Sequence, residues 1–264
     1  MNTFTPFHSL HLAMLAVIAL LTGAAVRGGV RSTAGRQRAE CAFALLTLAL
    51  WFVNCAERAL ARPFDPGSAF PLALCQLAAL TVPIALLKPR RICFALLYFW
   101  GLGLSAQGLI TPVLHDGPAR AEFWFFWYGH GAIVGTAVYV VVVHGFRPTW
   151  RDWRGAVAAG LTYVAVVFSI DVRFGLNYGF LGNELPDQPS VLDLFGPWPM
   201  RVVVMSVVTI AIFAALQAPW ALARRAPTRG PPSAWTRRGR AWRDGSCSIP
   251  SSSASSASPP RRAG

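Results

Sequence analysis

Charge is what this chain has least of. Only 13% of its 264 residues are charged and 54% are hydrophobic, where an average soluble domain carries about 25% charged residues. That shortage excludes an ordinary water-soluble globule, and the apolar wealth excludes a disordered chain. Acids are scarcest: 11 Asp and Glu stand against 24 Lys and Arg, for a net charge of +13. The placement of the basic residues argues against nucleic acid as a partner. Nine Arg lie beyond Ala223 and most of the rest sit in short clusters between long apolar runs, the pattern of basic loops in a membrane protein. The chain also lacks any CxxC. Its five cysteines, at 41, 55, 75, 93 and 247, are odd in number and give neither a disulfide framework nor a zinc knuckle. No metal site is expected. HExxH, GxSxG, P-loop and GxGxxG signatures are all missing, so metalloprotease, serine hydrolase, NTPase and dinucleotide-binding readings have no support.

What is present is a series of apolar runs: Leu10–Val26, Cys41–Ala56, Phe70–Leu87, Ile92–Leu114, Phe123–Val143, Gly155–Ile170 and Val202–Ala223. A helix needs roughly 17–25 apolar residues to cross about 30 Å of hydrocarbon. Most runs qualify; the second and sixth are a little short and call for flanking residues or local thinning. The expected fold is therefore all-α, a multi-pass bundle of seven transmembrane helices in the cell membrane. The first run has no Lys or Arg before it, unlike a secretory signal peptide, whereas Arg27, Arg31, Arg36 and Arg38 follow it.

That polarity predicts an outer N-terminus and a cytoplasmic C-terminus. Lys88, Arg90 and Arg91, then Arg147, Arg151 and Arg154, then the tail agree, placing 19 of 24 basic residues on the cytoplasmic side and eight of the 11 acids on the other. Residues 1–223 form the expected membrane domain. Residues 224–264, rich in Arg, Pro and Ser, have no apolar periodicity and are expected to be a disordered cytoplasmic tail against anionic headgroups.

Polar side chains inside a bilayer are expensive, and here they gather toward the outer face. His11 opens the first span. Asn54 and Glu57 close the second, one turn apart on one face. Cys75 and Gln76 lie just inside the third. Gln107 and Thr111 close the fourth, four residues apart. His130 lies about two turns into the fifth, Asp171 closes the sixth, and Asn177 and Tyr178 follow it. At about 1.5 Å per residue, Cys75 sits roughly 6 Å and His130 roughly 10 Å below their helix ends, so the two meet if spans three and five are neighbours. The bland alternatives are a cysteine acting as a small hydrophobe, an interhelical hydrogen bond for His130, helix-to-helix glue for Gln107 and Thr111, and an interfacial ion pair of Glu57 with Arg58.

Several stretches together resemble the YwaF family of bacterial integral membrane proteins, related to the eukaryotic transmembrane protein 164. The most specific is the run Asn177-Tyr178…Phe180-Leu181…Pro186…Ser190-x-Leu192-Asp193…Gly196-Pro197-Trp198-Pro199. Supporting pieces are Phe7…His11, Pro71-Leu72-x-Leu74-Cys75, Tyr98-Phe99-Trp100-Gly101, Thr111-Pro112, His130-Gly131 and Gly145-Phe146-Arg147-Pro148. The resemblance spans about residues 7 to 220. It implies a seven-helix membrane fold and, from the eukaryotic relative, lipid acyl transfer using a Cys and a His, here Cys75 and His130. Two positions depart from the family pattern: Ala73 stands where a His is usual, and Val113 where an Asp is frequent.

Under that reading the Cys75 thiolate is the nucleophile. Apolar surroundings disfavour a charged sulfur, so a base must take the proton, and His130 is the intramembrane group suited to it. Gln107, Asn54 or Asn177 would donate to the oxyanion, with His11, Glu57, Thr111 and Tyr178 lining the substrate pocket. Membrane lipids are the expected partners; no water-soluble cofactor is required, and the sequence names no protein partner. The competing reading is non-enzymatic, a protein that binds or transports a lipid or small ligand; a third is a structural protein whose polar residues only lock helices together. The Asn177–Pro199 connection, with prolines at 186, 189, 197 and 199, is expected to fold back over the pocket.

Overall fold

The computed structural model describes residues 4–32, 35–114, 117–185 and 191–225. The basic tail expected beyond residue 223 falls almost wholly outside them, as do Asp116 and Pro186 to Ser190. Among the described residues the regular structure is all helical, and seven segments are long and apolar enough to cross a membrane.

The first span is α1 (Ser9–Arg31) and the second α2 (Arg36–Leu60). The third is broken into α3 (Pro66–Ala69) and α4 (Leu74–Leu87). The fourth runs through α5 (Arg91–Leu96), a π-helical segment (Leu97–Ser105) and α6 (Ala106–Ile110). The fifth, sixth and seventh are α7 (Ala121–Val142), α8 (Trp150–Phe174) and α9 (Met200–Arg225).

Four spans differ from the apolar runs. The second and sixth spans are not short: each helix has 25 residues, because charged residues that end a hydropathy run are good helix formers. In α8, Thr149 and Asp152 build a reciprocal N-terminal cap and Gly175, with φ 64°, terminates the helix in the left-handed region. Asp152 also takes a bidentate bond from Arg91, at 2.8 and 2.6 Å, tying α8 to the start of the fourth span. The third span is interrupted at residues 70–73, where Pro71 cannot donate and disfavours helical backbone at Phe70. The fourth helix stops at Ile110 rather than Leu114, since Pro112 pushes Thr111 out of the helical region (φ −125°, ψ 74°).

The fourth span is the most buried of the seven. Its π segment supplies Leu97, Phe99 and Trp100 to the main core, against Val82, Ile133 and Phe213. Close approach sets two of its glycines: a Cβ on Gly101 would lie 3.2 Å from Ala137 and Ile133, and one on Gly103 only 2.8 Å from the Phe213 ring. Polar pins hold the wide helix in place. Tyr98 donates to the Leu216 carbonyl at 2.9 Å and accepts from Trp220, while Trp100 donates to the Ala156 carbonyl. Helix α7 lies against α1, α2, α4 and the π segment, and α8 and α9 cover the fourth span elsewhere. Outward, Leu20, Leu21, Leu45, Phe52, Val207 and Leu222 are exposed, an apolar surface that suits lipid and not water.

Candidate thiol–imidazole site

The break in the third span creates the site. Two tyrosines hold residues 70–73 outside a helix. Tyr178 donates to the Pro66 carbonyl and accepts from the Phe70 amide at 3.0 Å. Tyr163 donates to the Leu72 carbonyl at 3.0 Å. Tyr178 lies outside the spans, and burial pushes its hydroxyl above the usual range, so it remains a donor. Helix α4 then starts at Leu74, and Cys75 falls in its first turn. A first turn carries unpaired backbone N–H groups and the positive end of the helix dipole.

His130 comes from α7. Its Nδ1 sits 2.9 Å from the Phe126 carbonyl, which can only accept, so Nδ1 carries the hydrogen and Nε2 keeps a lone pair. The imidazole neighbours the Cys75 thiol. Ser105, the last residue of the π segment, lies beside the same sulfur, and its fully buried hydroxyl has no hydrogen-bond partner. Two contacts lock the ring. The Phe126 ring lies 4.2 Å away, centroid to centroid, and Gly108 abuts the imidazole, where a Cβ would come 2.7 Å from Nε2. Thiol, imidazole and hydroxyl thus arrive on three spans and meet in the bundle interior.

The other sequence-derived residues are spread around this end of the bundle. His11 is fully buried with both nitrogens used: Nδ1 accepts from the Phe7 amide and Nε2 donates to the Leu109 carbonyl, each at 2.8 Å. It fastens the N-terminal segment to α6. Asn54 accepts from Arg58 at 3.2 Å, so Arg58 turns to Asn54, and Glu57 is exposed. Gln107 and Thr111 are exposed, the Thr111 hydroxyl donating to the Gln107 carbonyl. Asn177 donates to the Glu184 carbonyl at 3.2 Å and leaves Oδ1 buried without a partner. Ala73 packs with Leu72 against Tyr178 and Leu181. The following loop is pinned over the break by Trp198, which donates to the Leu181 carbonyl, and by Arg201, which donates to the carbonyls of Gly182 and Glu184.

Sequence reasoning passed over four residues here: Ser105, Gly108, Tyr163 and, as a site residue, Asp171. Asp171 is fully buried beside the Tyr178 backbone, and neither carboxyl oxygen completes a hydrogen bond. Its intramembrane position was a usable signal; a serine and a glycine among apolar residues give none. Among the described residues no three His, Cys, Asp or Glu side chains group as metal ligands. A cavity of about 530 Å³ lies between α1, α2 and α7, and neither Cys75 nor His130 lines it.

No curated protein and no solved structure matches the chain. The model of the TMEM164 family matches residues 3–217, most of the chain and all seven spans but the last turns of α9. The chain is a multi-pass membrane protein and belongs to the TMEM164 family.

Proposed function

We propose that the chain is a Cys75/His130-dependent acyltransferase acting on lipids of the cell membrane, near the outer face, and that within its family it groups with the bacterial YwaF proteins. The observation that carries this reading is a thiol in the first turn of α4 beside an imidazole whose Nδ1 is held by the Phe126 carbonyl, which leaves the Nε2 lone pair free. Nε2 takes the thiol proton, and the sulfur attacks the carbonyl carbon of a phospholipid ester. The C–O bond breaks, the alkoxide takes the proton from Nε2 and leaves as a lysophospholipid, and the acyl group remains as a thioester on Cys75. An acceptor hydroxyl, deprotonated by the same nitrogen, attacks the thioester and releases the thiol. Negative charge on the sulfur and on the tetrahedral oxygen is favoured by the first turn of α4. Tyr178, Leu181 and Trp198, packed beside Leu72 and Ala73 at the break, keep water from the thioester.

The test is direct. Purified protein in nanodiscs receives a phospholipid carrying a labelled acyl chain, and an acyl adduct on Cys75 that neutral hydroxylamine releases is expected. Absence of both the adduct and acyl transfer would sink the enzymatic reading and favour a lipid-binding or transport protein. Orientation has its own check: a reporter after Ala223 should report cytoplasm and one near Asp187 the outside.

A further inference from the structure

We propose that the cavity between α1, α2 and α7 is a second lipid site, which takes one acyl chain of a neutral glyceride and holds its hydroxyl headgroup on Glu40. Its walls are apolar, with Ile18, Leu86, Trp127 and Ala132 among them. The cavity volume, about 530 Å³, falls in the range of small-molecule sites. Along α7 it extends from Trp127 to Tyr139, about 18 Å at helical rise and slightly more than one leaflet of a bilayer core of about 30 Å. One acyl chain lying along the helices fits that length.

The helices are spaced to leave this room. On one side α1 presses on α7, where a Cβ on Gly29 would lie 2.6 Å from the Tyr139 hydroxyl and one on Gly135 2.8 Å from Thr22 Oγ1. Gly28, the neighbour of Gly29, lines the cavity, and a Cβ there would meet nothing within 4 Å.

The head end is chemically specific. Glu40 lines the cavity and is only 5% exposed. Its Oε1 accepts from Tyr139 at 2.7 Å and faces His144 Nε2 at 3.2 Å and Arg36 Nε at 3.7 Å. Its Oε2 is buried without a partner. A buried carboxylate oxygen demands a donor. Arg36 already balances the charge, so a neutral hydroxyl suffices, and an anionic head would be repelled by the bare oxygen. This hydroxyl is not an acceptor for Cys75: Glu40 is bonded to Tyr139, nine residues beyond His130 on α7, roughly 13 Å away at helical rise. The site is therefore independent of the acyl transfer proposed above.

The experiment uses the full chain in phosphatidylcholine nanodiscs and a monoacylglycerol with a photoreactive group in its chain, beside the same probe with both hydroxyls methylated. The monoacylglycerol should label peptides of α1 and α7 at least fivefold more than the methylated probe. Gly28→Phe, which fills the cavity, should lower labelling at least tenfold while acylation of Cys75 stays unchanged. Glu40→Leu should erase the difference between the probes. If that variant does not fold, the probe pair on the unaltered protein and Gly28→Phe decide alone. Equal labelling by the two probes, unchanged labelling in Gly28→Phe, or stronger competition by a free fatty acid than by unlabelled monoacylglycerol would each overturn the proposal.

Discussion

Helix α7 carries one buried polar cluster around His130 and another around Tyr139, and the two are built in opposite ways. At His130 every neighbour closes in: the Phe126 carbonyl holds Nδ1, Gly108 admits the ring only because it has no side chain, and Ser105 and Cys75 fill the remaining side. At Tyr139 the carboxylate of Glu40 is held through one oxygen, and the other is buried without a partner in the wall of an open volume. Close packing fixes reacting atoms within tenths of an ångström, as bond-making requires. Open volume beside an unsatisfied acceptor suits a guest. The comparison teaches that intramembrane polarity marks places of interest, while local packing separates chemistry from binding.

The largest expected effect comes from removing the base. His130→Ala should lower acylation of Cys75 by roughly 10²–10⁴-fold, the usual contribution of a positioned general base, while labelling of the free thiols Cys55 and Cys93 stays the same. Retention of full Cys75 reactivity in that variant would break the distinction between the clusters at its stronger end.

A glycine pair sharpens the distinction at intermediate size. Gly108→Ala places a Cβ 2.7 Å from Nε2 and should cost about 1–3 kcal/mol by overpacking, with a marked fall in Cys75 acylation. Gly28→Ala meets open space and should stabilise α1 by up to about 1 kcal/mol through helix propensity, leaving acylation alone. Thermal unfolding and adduct formation, measured side by side, decide. Equal effects of the two alanines would mean that packing does not separate the clusters.

The seven spans could be read from the sequence because uninterrupted hydropathy over about 20 residues has few other meanings. Their ends could not, because Glu40 and Glu57 stop a hydropathy run without stopping a helix. Depth singles out Cys75 and His130, and their helices, α4 and α7, are neighbours. Which way a side chain faces was not legible. In the fourth span the polar residue chosen by depth was Gln107, which is exposed, whereas Ser105, two residues earlier and on the opposite side of the helix, faces the thiol. A π segment adds to this difficulty, since its i→i+5 bonds shift every later residue from the face that 3.6-residue periodicity predicts. Glu40 was missed because it sits one residue before an apolar run and reads as loop charge. Pro71 was the one available signal for the break at residues 70–73.

The smallest expected effect tests the break that presents Cys75, the feature with no counterpart at Glu40. Tyr178→Phe removes the donor to Pro66 and the acceptor from Phe70 and should cost about 1–3 kcal/mol, with a modest loss of Cys75 acylation. Burial raises the pKa of this hydroxyl in the folded chain. A raised pKa contributes stability that is fully present below the unfolded value, about 10 for tyrosine, and is lost as the pH climbs through the folded one. The stability gap between the unaltered protein and Tyr178→Phe should therefore stay constant from pH 8 to about 10 and narrow above that. A gap that widens with alkaline pH would mean that Tyr178 acts as an ionised acceptor and not as the donor that pins the broken helix.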